Sequence, residues 1–352
     1  MKTIAAVLVE PNKPLAVDEM EVPDPGPDQV IVKQISTGVC LSQVQQIANT
    51  APEDCPQLLG HEGTGVVTHV GSRVTHLKEG DWAIVTWVPR AGYAGRDFID
   101  GLSPTGVKFR GELAKGPVYT FAEHVLVHEQ LVVGIPKEDA TLESCIVGCA
   151  ILTGAGAVLH TARVRPEDSV VVIGAGGVGL SAIKMASLLQ AYPVIAIDIR
   201  DEKLEFAKSW GATHGVNSAK VDPVEAVRDI TGGGADFSFD ALGSRATQEI
   251  LLPMLRSGGP GADNIGGMAV LIGWPEVFTI DGAHFVFNQR QFRGSHGSSI
   301  PDRDFPMYLR MHREGRFPLD KLVTRSYRLD QAQQSMEDLA AGKISGRAII
   351  KF

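Results

Sequence analysis

The sequence contains few cysteines and no long apolar run. Four cysteines in 352 residues are too few for a disulfide framework, so we expect free thiols. No stretch approaches the roughly 20 apolar residues that a membrane-spanning helix needs. The start, MKTIAAVLVE, reaches Glu10 before any long apolar run and does not resemble a signal peptide. We therefore expect a cytoplasmic protein with no membrane partner.

Positively charged residues are fewer than negatively charged ones. Lysine and arginine number 33 against 41 aspartates and glutamates, a net charge of −8, which disfavours broad nucleic-acid binding. Glycine, in contrast, supplies 39 of the 352 residues, more than the usual level of about 7%. Many tight turns or close backbone approaches are therefore expected.

The chain length and its changes of pattern predict two domains. The first 150 residues are rich in valine and isoleucine with glycine and proline turns, which predicts strands at residues 1–9, 15–22, 30–38, 65–70 and 80–87. From residue 169, short apolar runs alternate with helical segments, one of them predicted at residues 245–255, which indicates a buried parallel sheet. We predict an α/β fold, with a doubly wound dinucleotide-binding domain at residues 151–296 and a β-rich domain made of residues 1–150 and 297–352.

The segment GAGGVG, residues 174–179, matches G-x-G-x-x-G between a predicted strand and a predicted helix. In this motif the first glycine makes the tight turn, the second admits the pyrophosphate and the third allows helix–strand packing. Asp198 ends the next strand, where a carboxylate accepts from the ribose hydroxyls and repels a 2′-phosphate, so NAD is favoured over NADP. Arg200 would soften that preference, and a glycine-rich turn without a nucleotide is the alternative.

Two cysteines and a histidine form a possible ligand set for catalytic zinc, a site type that keeps a fourth position open. They are Cys40, His61 and Cys149, and no pair of them has zinc-finger spacing. The alternative is structural: Cys145 and Cys149 stand at i and i+4 of an apolar helix, as core residues would. The spacing by itself leaves both readings open.

Several segments together resemble the zinc-dependent medium-chain alcohol dehydrogenase family over essentially the whole chain. They include GVCLS, GHEGTGVV, FAEHV, GCAILTGAGAV, VVIGAGGVGLSAI and the terminal GKISGRAIIKF, in family order. The resemblance implies a GroES-like catalytic domain and a Rossmann NAD domain. It also implies reversible NAD-linked oxidation of a primary or secondary alcohol to an aldehyde or ketone. Homodimers or homotetramers paired through edge strands of the NAD domain are expected as well.

The resemblance also implies roles for individual residues. The zinc ligands would be Cys40, His61 and Cys149, with Glu62 as an occasional ligand, while Ser42 would bond the alcohol and begin the proton exit that passes Gln45. The residues that would contact the cofactor are Gly174, Gly176, Gly177 and Gly179 in the glycine-rich turn, Thr153, Val178 and the backbone near Ser295 at the nicotinamide, Asp198 and Lys203 at the adenosine ribose, and Arg347 at the pyrophosphate. Trp87, Phe121 and Trp274 would line a pocket for medium-sized or bulky apolar alcohols.

Three departures from the family pattern matter. Residues 88–119 contain no cysteine, so we expect one catalytic zinc and no structural zinc. This lobe would instead be held by packing, for which Trp82, Tyr93, Phe98 and Phe109 are available. Gln43 replaces an acidic residue that normally orients the ligand histidine, and an amide supplies no charge-assisted bond. Gln45 stands where many members have a proton-relay histidine, which leaves His124 and His296 as the nearest candidates for that role.

Two alternatives come from other functional classes. The first is a zinc-free, NADPH-dependent quinone or enone reductase of the same fold, which usually lacks the cysteine and histidine ligands. The second is a non-catalytic NAD-binding protein. Polyol, amino-alcohol and terpenoid substrates all remain open at this point.

Overall fold

The structure, a computed structural model, describes residues 1–90, 104 and 106–352. Two compact units divide the chain: Met1–Cys149 with Ile300–Phe352, and Ala150–Ser299. Within the described residues, no helix is both long enough and apolar enough to cross a membrane.

The described strands are, in chain order, β1 (Lys2–Leu8), β2 (Ala16–Glu21), β3 (Gln29–Val39), β4 (Gln57–Leu58), β5 (Gly63–Val70), β6 (Trp82–Val85), β7 (Lys108–Phe109), β8 (Glu112–Leu113), β9 (His124–His128), β10 (Val132–Ile135), β11 (Val170–Ile173), β12 (Val194–Asp198), β13 (His214–Asn217), β14 (Phe237–Asp240), β15 (Met268–Leu271), β16 (Gln291–Gly294), β17 (Val323–Arg328) and β18 (Arg347–Lys351). The described α-helices are α1 (Leu41–Asn49), α2 (Ala150–Gly156), α3 (Gly177–Leu188), α4 (Asp201–Ser209), α5 (Pro223–Thr231), α6 (Arg245–Glu249), α7 (Ala283–Val286), α8 (Pro301–Arg313), α9 (Leu319–Leu322) and α10 (Ala332–Ala340).

The first unit is built on two sheets. One has the order β4-β1-β2-β7-β8, and the other has the order β10-β6-β5-β3-β18-β17 with β9 also pairing with β3. The central strand β3 pairs antiparallel with β5 and β18, and Val39 at its end lies opposite Ala348. Their apolar side chains form the core of this unit, so the end of β3 is held on both sides.

The second unit contains a parallel sheet of order β13-β12-β11-β14-β15-β16. Numbered from its first strand, this is 3-2-1-4-5-6, the order of the Rossmann fold. All four residues of β11 are buried, as expected for a strand covered on both faces. The predicted fold class is thereby confirmed.

One predicted element is wrong in length. Residues 245–255 were expected to form one helix, but α6 ends at Glu249. Pro253 lacks the N–H that would donate to the Glu249 carbonyl and disfavours helical backbone in the residue before it. The Leu251 carbonyl accepts from Ser238 Oγ at 3.1 Å instead, which ties this turn to the sheet.

The lobe expected to pack through aromatic residues is described in part. Phe109 is buried in the core of the first unit, and Trp82 in β6 is half-buried. Tyr93 and Phe98 lie outside the described residues.

Candidate functional site

Four side chains that can bind a metal converge in the first unit. The ligand atoms of Cys40, His61, Glu62 and Cys149 all lie within 4.8 Å of one another. Each residue stands at the end of an element: Cys40 follows β3 and is the N-cap of α1, His61 and Glu62 directly precede β5, and Cys149 directly precedes α2. The antiparallel pairing of β3 with β5 places Thr37 opposite Gly63, which brings the first two positions together.

The donor set and its spacing fit a zinc ion. Cys40 Sγ and Cys149 Sγ are 4.0 Å apart. This is close to the ~3.8 Å edge of a tetrahedron with metal–sulfur bonds of ~2.3 Å. His61 Nε2 lies 3.1 Å from Cys149 Sγ, so the imidazole nitrogen faces the same point. Two sulfurs and one nitrogen are the protein ligands of some catalytic zinc sites, in which the fourth position takes the substrate.

Glu62 is paired with Arg347. The carboxylate accepts a hydrogen bond from Arg347 Nη2, and both side chains are almost fully buried. Burial raises the pKa of Glu62 to about 7, although the positive charge of Arg347 opposes the rise. Arg347 therefore supplies a positive charge directly beside the cysteine and histidine cluster. Its expected contact with a pyrophosphate remains a prediction.

The two cluster thiols have opposite pKa shifts. The hydrogen bond with Cys149 is the main cause that holds the pKa of Cys40 well below its usual value, and Arg347 and His61 lower it further. The same hydrogen bond, together with burial, raises the pKa of Cys149. The thiolate is the form of cysteine that binds metals, so the lowered pKa of Cys40 favours metal binding by this residue.

Several residues that the sequence analysis did not single out support the cluster. Thr37 Oγ1 donates to the Glu62 carbonyl at 2.7 Å and lies 2.6 Å from Thr120 Oγ1. A Cβ on Gly38 would stand 2.4 Å from the Glu62 carboxyl carbon, and a Cβ on Gly148 would stand 2.6 Å from the Val85 carbonyl oxygen. The sequence contains a signal for the first of these contacts, because a glycine in a strand, here Gly38 at the end of the strand predicted at residues 30–38, often marks a close approach of another group to the backbone.

Cys145 and Cys149 are both buried, as the structural alternative predicts, but they do not lie at i and i+4 of one α-helix. Residues Glu143–Gly148 form a 3₁₀ helix, and Cys149 follows it with non-helical dihedral angles. A 3₁₀ helix has three residues per turn, so residues four positions apart do not lie on one face of it. The break at Cys149 separates the directions of the two thiols further. Cys145 is buried and donates to the Leu142 carbonyl at 3.2 Å, and its pKa is raised by burial, so it behaves as an inert core thiol.

Helix α1 carries three side chains singled out in the sequence. Among the described residues, Ser42 Oγ has no hydrogen-bond partner although the atom is buried. Gln43 is fully buried, and its amide contacts both the Cys40 backbone and the His61 ring. Gln45 is half-buried. A buried hydroxyl without a partner is unfavourable unless a ligand completes its bonding, which fits the expected contact between Ser42 and an alcohol.

The glycine-rich turn of the second unit has the geometry that its motif predicts. Gly174 has φ +94°, which favours glycine, and a Cβ on Gly179 would lie 1.8 Å from the Gly174 carbonyl oxygen. A Cβ on Gly176 would meet nothing within 4 Å. Helix α3 begins at Gly177, so its free N–H groups lie at the turn. Space and donors therefore coincide where a phosphate group can bind.

Asp198 lies beside this turn. Its carboxylate accepts from the backbone N–H of Ala175 at 3.0 Å and from that of Arg200 at 3.2 Å. The Arg200 side chain is directed to Glu202, at 3.7 Å. Lys203, predicted to contact the ribose, is half-buried on α4. The strand-end carboxylate is thus next to the glycine-rich turn, as the dinucleotide motif requires.

The three residues expected near the nicotinamide lie at separate points of the second unit. Thr153 is buried in α2, and its Oγ1 has no hydrogen-bond partner among the described residues. Val178 is half-buried on α3. Ser295 follows β16, and its hydroxyl bonds to Thr161 Oγ1 and Ser298 Oγ. Their roles remain predictions.

The aromatic residues expected in a substrate pocket have different environments. Phe121 is only 1% exposed and lies in a hydrophobic core cluster, whereas Trp87 is half-buried and packs against another. Trp274, in the second unit, is 61% exposed.

The two histidines considered for proton transfer also differ. His124 Nδ1 lies 3.2 Å from Thr3 Oγ1, and burial lowers the pKa of this histidine. His296 is exposed in the second unit.

Comparison with known proteins matches both parts of the chain. Residues 26–137 match the family described as alcohol dehydrogenase GroES-like domain, and residues 177–313 match the family described as zinc-binding dehydrogenase. A putative alcohol dehydrogenase D of Mycobacterium tuberculosis is 31% identical, covering 97% of this chain and 98% of that protein.

Solved structures agree with these matches. An alcohol dehydrogenase zinc-binding domain protein from Burkholderia ambifaria is 31% identical with a TM-score of 0.90, over 100% of this chain and 99% of that one. Benzyl alcohol dehydrogenase from Acinetobacter calcoaceticus is 30% identical with a TM-score of 0.89, over the same shares.

Proposed function

This chain belongs to the zinc-type medium-chain alcohol dehydrogenase family and is an oxidoreductase, and we propose that it oxidises apolar alcohols reversibly with one zinc ion and NAD. The observation that carries the proposal is the convergence of Cys40, His61 and Cys149, whose ligand atoms lie within 4.8 Å of one another. Zinc in this site would act as a Lewis acid that favours the alkoxide, while NAD would accept the hydride.

The residues of the first unit would bind the metal and the alcohol. Cys40, His61 and Cys149 would supply one nitrogen and two sulfurs, and Glu62 would remain paired with Arg347 beside them. The Ser42 hydroxyl is two residues after the first ligand and has no partner among the described residues. We propose that this oxygen accepts the proton of the bound alcohol and passes it on, since a positioned hydroxyl provides a route out of a shielded site.

The residues of the second unit would bind the dinucleotide. The open space at Gly176 and the N-terminus of α3 would receive the pyrophosphate. The Asp198 carboxylate would accept from the ribose hydroxyls and repel a 2′-phosphate, which supports NAD over NADP. Its present bonds to the Ala175 and Arg200 N–H groups show that the carboxylate already faces the turn.

The proposed substrates are uncharged alcohols that carry a ring or a branched apolar group. Trp87 of the first unit is half-buried and offers a flat aromatic face, which favours such substrates. The likeness to benzyl alcohol dehydrogenase supports the same class. Benzyl alcohol is therefore the first substrate to test, with ethanol as the small counterpart.

The test combines metal analysis with a turnover assay. The purified chain should contain one zinc per chain and should reduce NAD in the presence of benzyl alcohol more efficiently than with ethanol. Cys149→Ser should lose zinc and turnover, whereas Cys145→Ser, which alters a buried thiol outside the cluster, is the matched control that should keep both. A zinc-free chain that still turns over alcohol, or two tightly bound zinc ions per chain, would contradict the proposal.

A further inference from the structure

Gln43 makes two hydrogen-bonding contacts with one amide. It is the third residue of α1 and is fully buried. Its Oε1 accepts from the Cys40 backbone N–H at 2.6 Å, and its Nε2 lies 2.8 Å from His61 Nδ1. Glutamine at this helix position commonly accepts from the N-cap N–H, so the first contact follows from local helix capping. The second contact reaches a proposed metal ligand.

The side-chain amide has one oxygen that accepts and one nitrogen that only donates. While Oε1 accepts from Cys40, the NH₂ group faces His61 Nδ1, which must then be the accepting nitrogen of the ring. The ring proton consequently lies on Nε2, which is 3.1 Å from Cys149 Sγ and can donate to that sulfur. In this arrangement the Cys40 N–H, the Gln43 amide and both nitrogens of the His61 ring each have a hydrogen-bond partner.

If His61 binds a metal through Nε2, its Nδ1 must donate a hydrogen bond where it accepted one before. Nε2 must then offer its lone pair, so the ring proton lies on Nδ1 and needs an acceptor. Two N–H groups, those of Cys40 and His61, now face an amide with a single acceptor. Turning the Gln43 amide by 180° lets its oxygen accept from the His61 ring, but its NH₂ group then faces the Cys40 N–H. One N–H is therefore left without an acceptor in either orientation.

We infer that Gln43 is a positioning residue that favours the metal-free hydrogen-bonding pattern of His61 and so weakens zinc binding compared with a carboxylate at the same position. A carboxylate has two accepting oxygens and satisfies both N–H groups at once. The inference rests on the proposed zinc site and adds that Gln43 lowers the affinity of this site for its metal.

Gln43→Glu tests the inference because it keeps the side-chain length and the capping bond while it replaces the NH₂ group with an acceptor. Zinc affinity is measured on the purified chain by competition with a chelator, using the metal alone and no substrate. We expect about 10–100-fold tighter zinc binding, the range that hydrogen-bond partners of metal ligands usually control. Gln46→Glu is the control, since it adds the same charge to α1 at a side chain whose Nε2 faces the Leu58 carbonyl and not His61.

Equal zinc affinity in Gln43→Glu and the wild type, or an equal gain in Gln46→Glu, would overturn the inference and leave the proposed function intact. Failure of every variant and of the wild type to bind zinc would instead overturn the proposed zinc site. A second measurement needs no variant: nitrogen NMR of the His61 ring should show the proton on Nε2 without zinc and on Nδ1 with zinc. A proton already on Nδ1 in the zinc-free chain would contradict the argument.

Discussion

Gly176→Ala should separate dinucleotide binding from folding. Gly176 is the N-cap of α3, its backbone is extended with φ −90° and ψ −172°, and a Cβ there would meet nothing within 4 Å. Alanine can therefore adopt this conformation without a clash. The added methyl group would, however, occupy the space in which the motif admits the pyrophosphate.

The magnitudes follow from this geometry. Alanine is a poorer N-cap than glycine by up to roughly 1 kcal/mol, while the lower entropy of its unfolded chain returns about 0.4–1 kcal/mol. We therefore expect the free energy of unfolding to change by less than about 1 kcal/mol. A hydrogen bond to a charged group contributes about 1.5–3 kcal/mol, so loss of one backbone–phosphate bond should weaken binding roughly 10–100-fold.

Gly179→Ala is the matched comparison within the same motif. Its Cβ would lie 1.8 Å from the Gly174 carbonyl oxygen, a backbone atom that cannot rotate away. Overpacking of this kind costs about 1–3 kcal/mol or more, which exceeds the ~1 kcal/mol that alanine gains over glycine in a helix. This variant should therefore lower the free energy of unfolding itself.

Urea unfolding followed by tryptophan fluorescence measures stability, and isothermal titration calorimetry with NAD and with NADP measures binding. The reasoning predicts a stable Gly176→Ala with weak NAD binding and a destabilised Gly179→Ala. A Gly176→Ala variant that binds NAD as tightly as the wild type would show that the pyrophosphate lies elsewhere. Wild-type stability in Gly179→Ala would refute the close packing of α3 on β11.

The remaining predictions concern single residues of the proposed site. Cys149→Ser should abolish zinc content by metal analysis, and a variant that retains stoichiometric zinc would remove Cys149 from the ligand set. Ser42→Ala should lower kcat about 10²–10⁴-fold with unchanged zinc content, because no hydroxyl then accepts the alcohol proton; full activity would indicate another proton route. Asp198→Gly should shift the ratio of kcat/KM values toward NADP, and a wild type that already prefers NADP would contradict the assignment.

The sequence by itself determined those features whose conformation depends on residues that are close together in the chain. Alternation of apolar runs and helical segments predicted the parallel sheet, because the two periodicities differ along the chain. The spacing within residues 174–179 also predicted what each glycine does, since the turn, the open approach at Gly176 and the contact of Gly179 all involve one strand–turn–helix unit. Helix α6 ends earlier than the helical pattern predicts, because Pro253 disfavours helical backbone before it and the Ser238 hydroxyl of β14 donates to the Leu251 carbonyl.

The tertiary structure decided the candidate metal centre and its hydrogen bonds. Cys149 is 88 residues from His61 and 109 residues from Cys40, separations for which no local spacing rule exists, so the set was suggested by its donor chemistry and by the family resemblance. The pairing of β3 with β5 and the end of a 3₁₀ helix bring the three ligands together. The Glu62–Arg347 pair, 285 residues apart, and the two contacts of the Gln43 amide likewise depend on sheet register and helix placement, which a linear sequence pattern does not contain.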